Sequence, residues 1–213
     1  MAKILIASNN PGKLVEIQAL LTPESGLRDV ELVMPREQGL ALDVVEDGHT
    51  YAENAALKAM AYYRALPSAA PGALQRPIIL ADDSGLEVDA LGGEPGLHSA
   101  RYLGRPGATD ADRRAFLLQN LVGKPRPWRA HFHCTVALVS PRGELVFADG
   151  DCPGEIIPNE RGTHGFGYDP IFLLTDSGLT MAELSMEQKN RLSHRALAVL
   201  AAIPTLKKWL GQG

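Results

Sequence analysis

Hydrophobic and polar positions follow two different periods along the chain, and the switches between them mark its elements. Residues 3–7, Lys-Ile-Leu-Ile-Ala, form a short apolar, β-branched run that predicts a buried strand. Ser8-Asn9-Asn10-Pro11-Gly12 then reads as a dense turn, and a helix follows over 13–21 with Leu14, Ile17, Leu20 and Leu21 on one stripe. A second strand with a loop is expected within 30–45, and an Ala-rich helix over 50–66. Residues 66–77 carry three Pro and read as an exposed loop. The apolar run 77–81 predicts a strand that ends in Asp82-Asp83-Ser84-Gly85.

Beyond a Gly-rich stretch over 85–107, a helix is expected over 110–122 with Phe116, Leu117, Leu118 and Leu121 apolar. Residues 130–139 and 144–148 alternate as a hairpin joined at 140–143. A separate strand at 152–157 precedes the Gly-rich segment 162–169, and 171–174 is a last strand. A helix over 193–202 closes the pattern, with Ser193 as its N-cap. Strands and helices intermixed, with hairpins late, give an α/β fold on a mixed sheet.

Composition narrows the class. The 213 residues are 45% apolar and 22% charged, ordinary for a soluble globular protein. A net charge of -4 argues against broad binding to nucleic acid or anionic membrane, while leaving room for a small phosphorylated ligand met by a few cations. Cys134 and Cys152 alone provide no disulfide framework. The longest apolar run, 196–203, falls short of the roughly 20 residues that span a bilayer. The N-terminal apolar stretch is too short for a signal peptide, so a cytoplasmic location is expected.

Four segments could carry chemistry. Ser8, Asn9, Asn10, Pro11, Gly12 and Lys13 lie between strand and helix, where free amides and the helix dipole suit a phosphate; the alternative is a solvated turn. Asp82 and Asp83, at a strand's end, could hold Mg²⁺ or take a proton from water, or could simply cap a turn. Phe166, Gly167, Tyr168 and Asp169 could present a ring to a nucleobase with Asp169 at its edge, or could plug the core. Lys189, His194 and Arg195 gather cations near the last helix. Positive charge in a first helical turn is disfavoured unless an anion is near, so a bound anion competes here with a solvated face. His131 and His133 share one face of a strand and Cys134 the other, which speaks against zinc.

Taken in order, the segments 8–13, 46–54 (Glu-Asp-Gly-His-Thr-Tyr-Ala-Glu-Asn), 81–86 (Ala-Asp-Asp-Ser-Gly-Leu), 91–96 with 99–102, 165–172, and Lys189 with 193–195 make the chain resemble the inosine triphosphate pyrophosphatase family. The resemblance spans nearly the whole chain. It implies an elongated, two-lobed mixed-sheet domain over 1–213 with a central nucleotide cleft, and a homodimer. It also implies Mg²⁺-dependent hydrolysis of ITP, dITP and XTP to monophosphate and pyrophosphate. By the same resemblance residues 8–13 cradle the triphosphate, and Glu46 and Asp83 hold Mg²⁺. Asp83 also takes the proton of the attacking water, with Asp82 and Lys13 beside it, and Ser84 contacts substrate. Phe166 would stack on the base, the stretch through Gly167, Tyr168 and Asp169 would read its edge, Lys189 would bind phosphate or sugar, and His194 and Arg195 would meet the 6-oxo group. Rival expectations are a pyrophosphatase for pyrimidine or otherwise modified nucleotides, and a sensor that binds without cleaving. The intact Asp82-Asp83 pair weighs against the sensor.

Overall fold

The computed structural model of the chain describes residues 1–22, 25–40, 42–67 and 76–212. Its strands are β1 (Ala2–Ile6), β2 (Val30–Val33), β3 (Ile78–Val88), β4 (Trp128–Val139), β5 (Leu145–Ile156), β6 (Phe172–Leu174) and β7 (Leu179–Thr180). The helices are α1 (Pro11–Leu20), α2 (Tyr51–Ala65), α3 (Asp110–Leu121), α4 (Met186–Leu192) and α5 (His194–Leu210), with short 3-10 turns between. The strands form one sheet in the order β2-β1-β3-β4-β5-β6-β7. β1 pairs in parallel with β2 and β3, whereas β5–β6 and β6–β7 are antiparallel, so the sheet is mixed as expected.

The chain divides into two compact units. The first comprises residues 1–83, 134–150 and 195–213. Its strands are apolar on both faces because helices cover both. Ile4, Ile6, Ile78, Leu80, Cys134, Val136 and Leu138 pack with α1 and α5. The alternate residues Leu5, Ala7, Ile79, Ala81, Ala137 and Val139 pack with Ala55, Ala59 and Tyr62 of α2. The second unit comprises residues 84–133 and 151–194. Its core joins Leu86 and Val88 of β3 and Phe132 of β4 to Leu117 and Leu121 of α3, with Tyr168, Ile171 and Phe172.

Several boundaries differ from the expectations. β3 does not stop at residue 81 but runs through Asp82, Asp83 and Ser84 to Val88. α1 begins at Pro11, so Pro11, Gly12 and Lys13 form its first turn. The two strands expected at 144–148 and 152–157 are one, β5, uninterrupted by Pro153 and Gly154. α5 begins at His194, directly after Ser193, which also closes α4, and continues past Pro204 to Leu210. The Pro-rich loop expected at 66–77 falls largely outside the described residues. Among the described residues no helix is long and apolar enough to cross a membrane.

Candidate active site

In the first unit, β1 leads into α1 through a turn closed by its own side chains. Ser8 Oγ accepts from the Asn10 N–H at 3.2 Å, and Asn10 Oδ1 accepts from the N–H groups of Gly12 at 2.9 Å and Lys13 at 3.2 Å. Asn10 is thus the N-cap, and Pro11 fills the position that needs no donor. The amides of residues 12 and 13, expected to face a phosphate, are therefore satisfied within the protein. Asn9 Nδ2 donates to Leu42 O at 3.1 Å. The Lys13 ammonium reaches the sheet, 3.0 Å from Asp82 Oδ2.

Because successive strand residues point to opposite faces, the neighbouring carboxylates of β3 meet different surroundings. Asp82 lies on the α1/α5 face, where its Oδ2 meets Lys13, Arg195 Nε at 3.1 Å and the Cys134 thiol. Burial opposes ionisation of Asp82, but Lys13, Arg195 and Lys58 outweigh it and hold its carboxyl well below the usual range. Asp82 Oδ1 is buried without a hydrogen-bond partner. Asp83 lies on the α2 face and accepts from Asn54 Nδ2 at 3.0 Å. Burial pushes its carboxyl up, and Glu46 adds to this, against the pull of Lys13, Lys58 and Asn54. Two adjacent carboxylates driven in opposite directions are the pattern that separates a fixed anion from a proton acceptor.

Glu46 and Asn54 join this group from the segment leading into α2. Asn54 Oδ1 accepts from the Gly48 N–H at 2.8 Å, tying the approach to α2 to Asp83 through one side chain. Glu46 pairs with Lys58 at 3.0 Å, and Lys58 also donates to the Asp82 backbone carbonyl at 2.9 Å. Burial pulls the Lys58 ammonium down, but Asp82, Glu46 and Asp83 outweigh it and keep it charged. The donor set fits Mg²⁺, which takes one or two carboxylates and keeps waters. Lys58 ties the Glu46 carboxylate to the strand that carries Asp83, and the charge of Glu46 pushes the Asp83 carboxyl up, so the two acidic groups lie close enough to repel without a cation. Among the described residues no group of three or more His, Cys, Asp or Glu side chains is placed to hold a metal ion.

Arg195 corrects one reading of the sequence. Its side chain is 2% exposed and engages Glu16 and Asp82, so the anions that answer the cation in the first turn of α5 are the chain's own carboxylates. It lies in the first unit, whereas the aromatic segment expected beside it lies in the second.

In the second unit, the segment 165–169 is folded on itself. Asp169 Oδ2 accepts from the Phe166 N–H at 2.9 Å and from Lys189 Nζ at 2.6 Å, with both charged side chains 5% exposed. The Lys189 ammonium sits 5.3 Å from the centre of the half-buried Phe166 ring. Asp169 and Lys189 therefore hold the segment together rather than standing open to a base edge and a phosphate. A Cβ on Gly165 would fall 2.0 Å from Asp169 Oδ2, which explains glycine there. Tyr168 is buried, donates to Ser99 O at 2.9 Å, and its phenol is pushed up by burial. His194 is buried with its ring stacked 4.7 Å from that of Phe132. Ser84 is half-buried in β3, and His131 and His133 pair with Glu87 and Asp151.

Sequence reasoning did not single out Glu16, Lys58 or Asn54. Each carries a signal in hindsight: Glu16 interrupts the apolar stripe of α1 one turn before Leu20, and Lys58 follows Asn54 by one turn of α2.

The chain is similar to known proteins over nearly its whole length. The Ham1 family model matches residues 4–205. A dITP/XTP pyrophosphatase of Geobacillus kaustophilus is 47% identical over 200 residues, covering 93% of this chain and 91% of that protein. The Staphylococcus aureus Ham1 protein superposes with a TM-score of 0.76 at 39% identity, covering 98% of each chain. A HAM1 protein from Coxiella burnetii gives 0.78 at 34% identity over the full length of both. On the strength of a match that spans almost every described element, this chain belongs to the Ham1 family.

Proposed function

We propose that the protein hydrolyses the deaminated purine nucleoside triphosphates ITP, dITP and XTP to the monophosphate and pyrophosphate, in a Mg²⁺-dependent reaction. The observation that carries this reading is the pair Asp82 and Asp83, consecutive in one strand yet facing opposite ways, Asp82 onto Lys13 and Arg195 and Asp83 onto Asn54. The names of the relatives, dITP/XTP pyrophosphatases, supply the substrate class.

Cleavage of a phosphoanhydride asks a protein for positioning and charge neutralisation more than for covalent chemistry. Glu46 and Asp83 would hold Mg²⁺, which supplies positive charge to the phosphate oxygens. Asp83, oriented by the Asn54 amide, would accept the proton of the attacking water. Lys13 and Lys58 would add positive charge, and Asp82 fixes Lys13 and Arg195 as a permanent anion. Phe166 gives the base its stacking face, backed by the Lys189–Asp169 pair. The working protein is taken to be a cytoplasmic homodimer, a point that light scattering in solution tests.

The deciding assay is pyrophosphate release from ITP, XTP, dITP and the four standard deoxynucleoside triphosphates, with and without Mg²⁺. Turnover of ITP and XTP well above dATP is expected, in line with the names of the relatives. Turnover of ITP and XTP no faster than dATP overturns the reading.

A further inference from the structure

The first turn of α3 carries a contact that the reading above does not use. Asp110 Oδ2 accepts from the Gly167 N–H at 2.8 Å, and Arg114 Nη1 donates to the Gly167 carbonyl at 2.8 Å. Both polar groups of the residue beside Phe166 are thus held by side chains of one helix. Each of those side chains is itself fixed. Arg114 forks onto Glu160 at 2.8 and 3.0 Å, and Arg113 engages the other oxygen of Asp110 while donating to Ala108 O at 2.7 Å.

The segment needs such support. Gly165 and Gly167 have φ of +75° and +61°, and glycine brings little conformational preference of its own. Asp169 and Lys189 secure the segment from within, through the Phe166 N–H. We propose that Asp110 and Arg114 are positioning residues for the nucleobase: by gripping Gly167 they hold the Phe166 ring in the one conformation on which a purine stacks. The inference rests on Phe166 as the stacking face. A ligand that binds only the ordered form loses apparent affinity in proportion as that form is depopulated.

The test uses the full-length protein with Asp110→Ala, Arg114→Ala and the conservative Asp110→Asn. Losing one hydrogen bond to a charged group should raise KM for ITP about tenfold. The kcat should stay within about twofold, because the groups around the anhydride are untouched. Inhibition by inorganic tripolyphosphate, a probe with no base, should be unchanged. Asp110→Asn, whose amide oxygen still accepts from the Gly167 N–H, should restore most of the wild-type KM. An unchanged KM, a parallel weakening of tripolyphosphate inhibition, or an Asp110→Asn variant as impaired as Asp110→Ala overturns the proposal. If Asp110→Ala does not fold, Arg114→Gln carries the same expectation. Hydrogen exchange at residues 165–169 separates this inference from the proposed function. Faster exchange in the variants supports the clamp even if the wild type leaves ITP uncleaved, and unchanged exchange refutes the clamp whatever the substrate.

Discussion

Replacing Glu16 by Gln removes one charge from a buried cluster and leaves its shape nearly intact. Arg195 lies between Glu16 and Asp82, with side chains 2%, 5% and 0% exposed, and Lys13 sits against the same Asp82 oxygen. In Glu16→Gln the buried Arg195 guanidinium keeps Asp82 but loses the charge of its second carboxylate. Breaking a buried pair by removing one partner costs about 3–5 kcal/mol. Here Asp82 stays and the Gln oxygen still accepts from Arg195, which brings the expected loss to about 2–3 kcal/mol, the scale of a hydrogen bond to a charged group. For a chain of this size that lowers Tm by about 5–10 °C. Urea denaturation followed by circular dichroism measures it: the midpoint should fall with the slope unchanged. A double-mutant cycle adding Arg195→Met should show strong coupling, because the double variant removes both charges together. A loss below about 0.5 kcal/mol, the level of an ordinary surface substitution, or additive single effects, would refute the view that Arg195 depends on Glu16.

Asp83→Asn should lower kcat by about 10²–10⁴-fold, the usual contribution of a general base, while calorimetry still detects nucleotide binding; a variant that keeps most of its rate places the base elsewhere. Gly165→Ala should destabilise by about 1–2 kcal/mol from its left-handed dihedral alone, with the clash on Asp169 in addition, and an unchanged Tm would contradict the geometry. The Cys152 thiol is pushed up to about 11, by burial first and then by Asp169, so native protein should resist alkylation there at pH 8. The same shift makes stability fall between pH 9.0 and about 11, where the unfolded chain ionises this thiol and the folded one does not. Cys152→Ala should flatten part of that decline, and identical slopes would show that the thiol is not shielded.

The apolar runs of β1 and the start of β3 were legible because both faces of these strands are covered, which leaves an uninterrupted hydrophobic signature. The continuation of β3 through Asp82, Asp83 and Ser84 was not. Charged residues in a strand interior look like a turn until Lys13, Arg195, Lys58 and Asn54 arrive from remote parts of the chain to answer them. Pro153 and Gly154 hid the length of β5 for a related reason. Gly154 lies where a side chain would collide with Phe172 and the Leu173 carbonyl, a demand that only tertiary packing reveals. In the first unit, the segments carrying Lys13, Glu46 and Asp83 could be found by their motifs. The partners of Arg195 could not, since its charge pattern alone does not distinguish a bound anion from an internal carboxylate.

The alternation of β3 also bears on which length changes the chain can accept. Its register is set where Ile78 meets Ile4 of β1, immediately after the segment 66–77. Insertions or deletions upstream of that pairing leave the strand's facing unaltered. Removing a single residue between 79 and 82 would turn every later side chain of β3 over. Asp83 would then meet Lys13 and Arg195, and the side facing Asn54 would receive Ser84. Deletion scanning across this boundary should therefore show an abrupt loss of activity from Ile79 onward, although the tolerated positions lie only a few residues earlier.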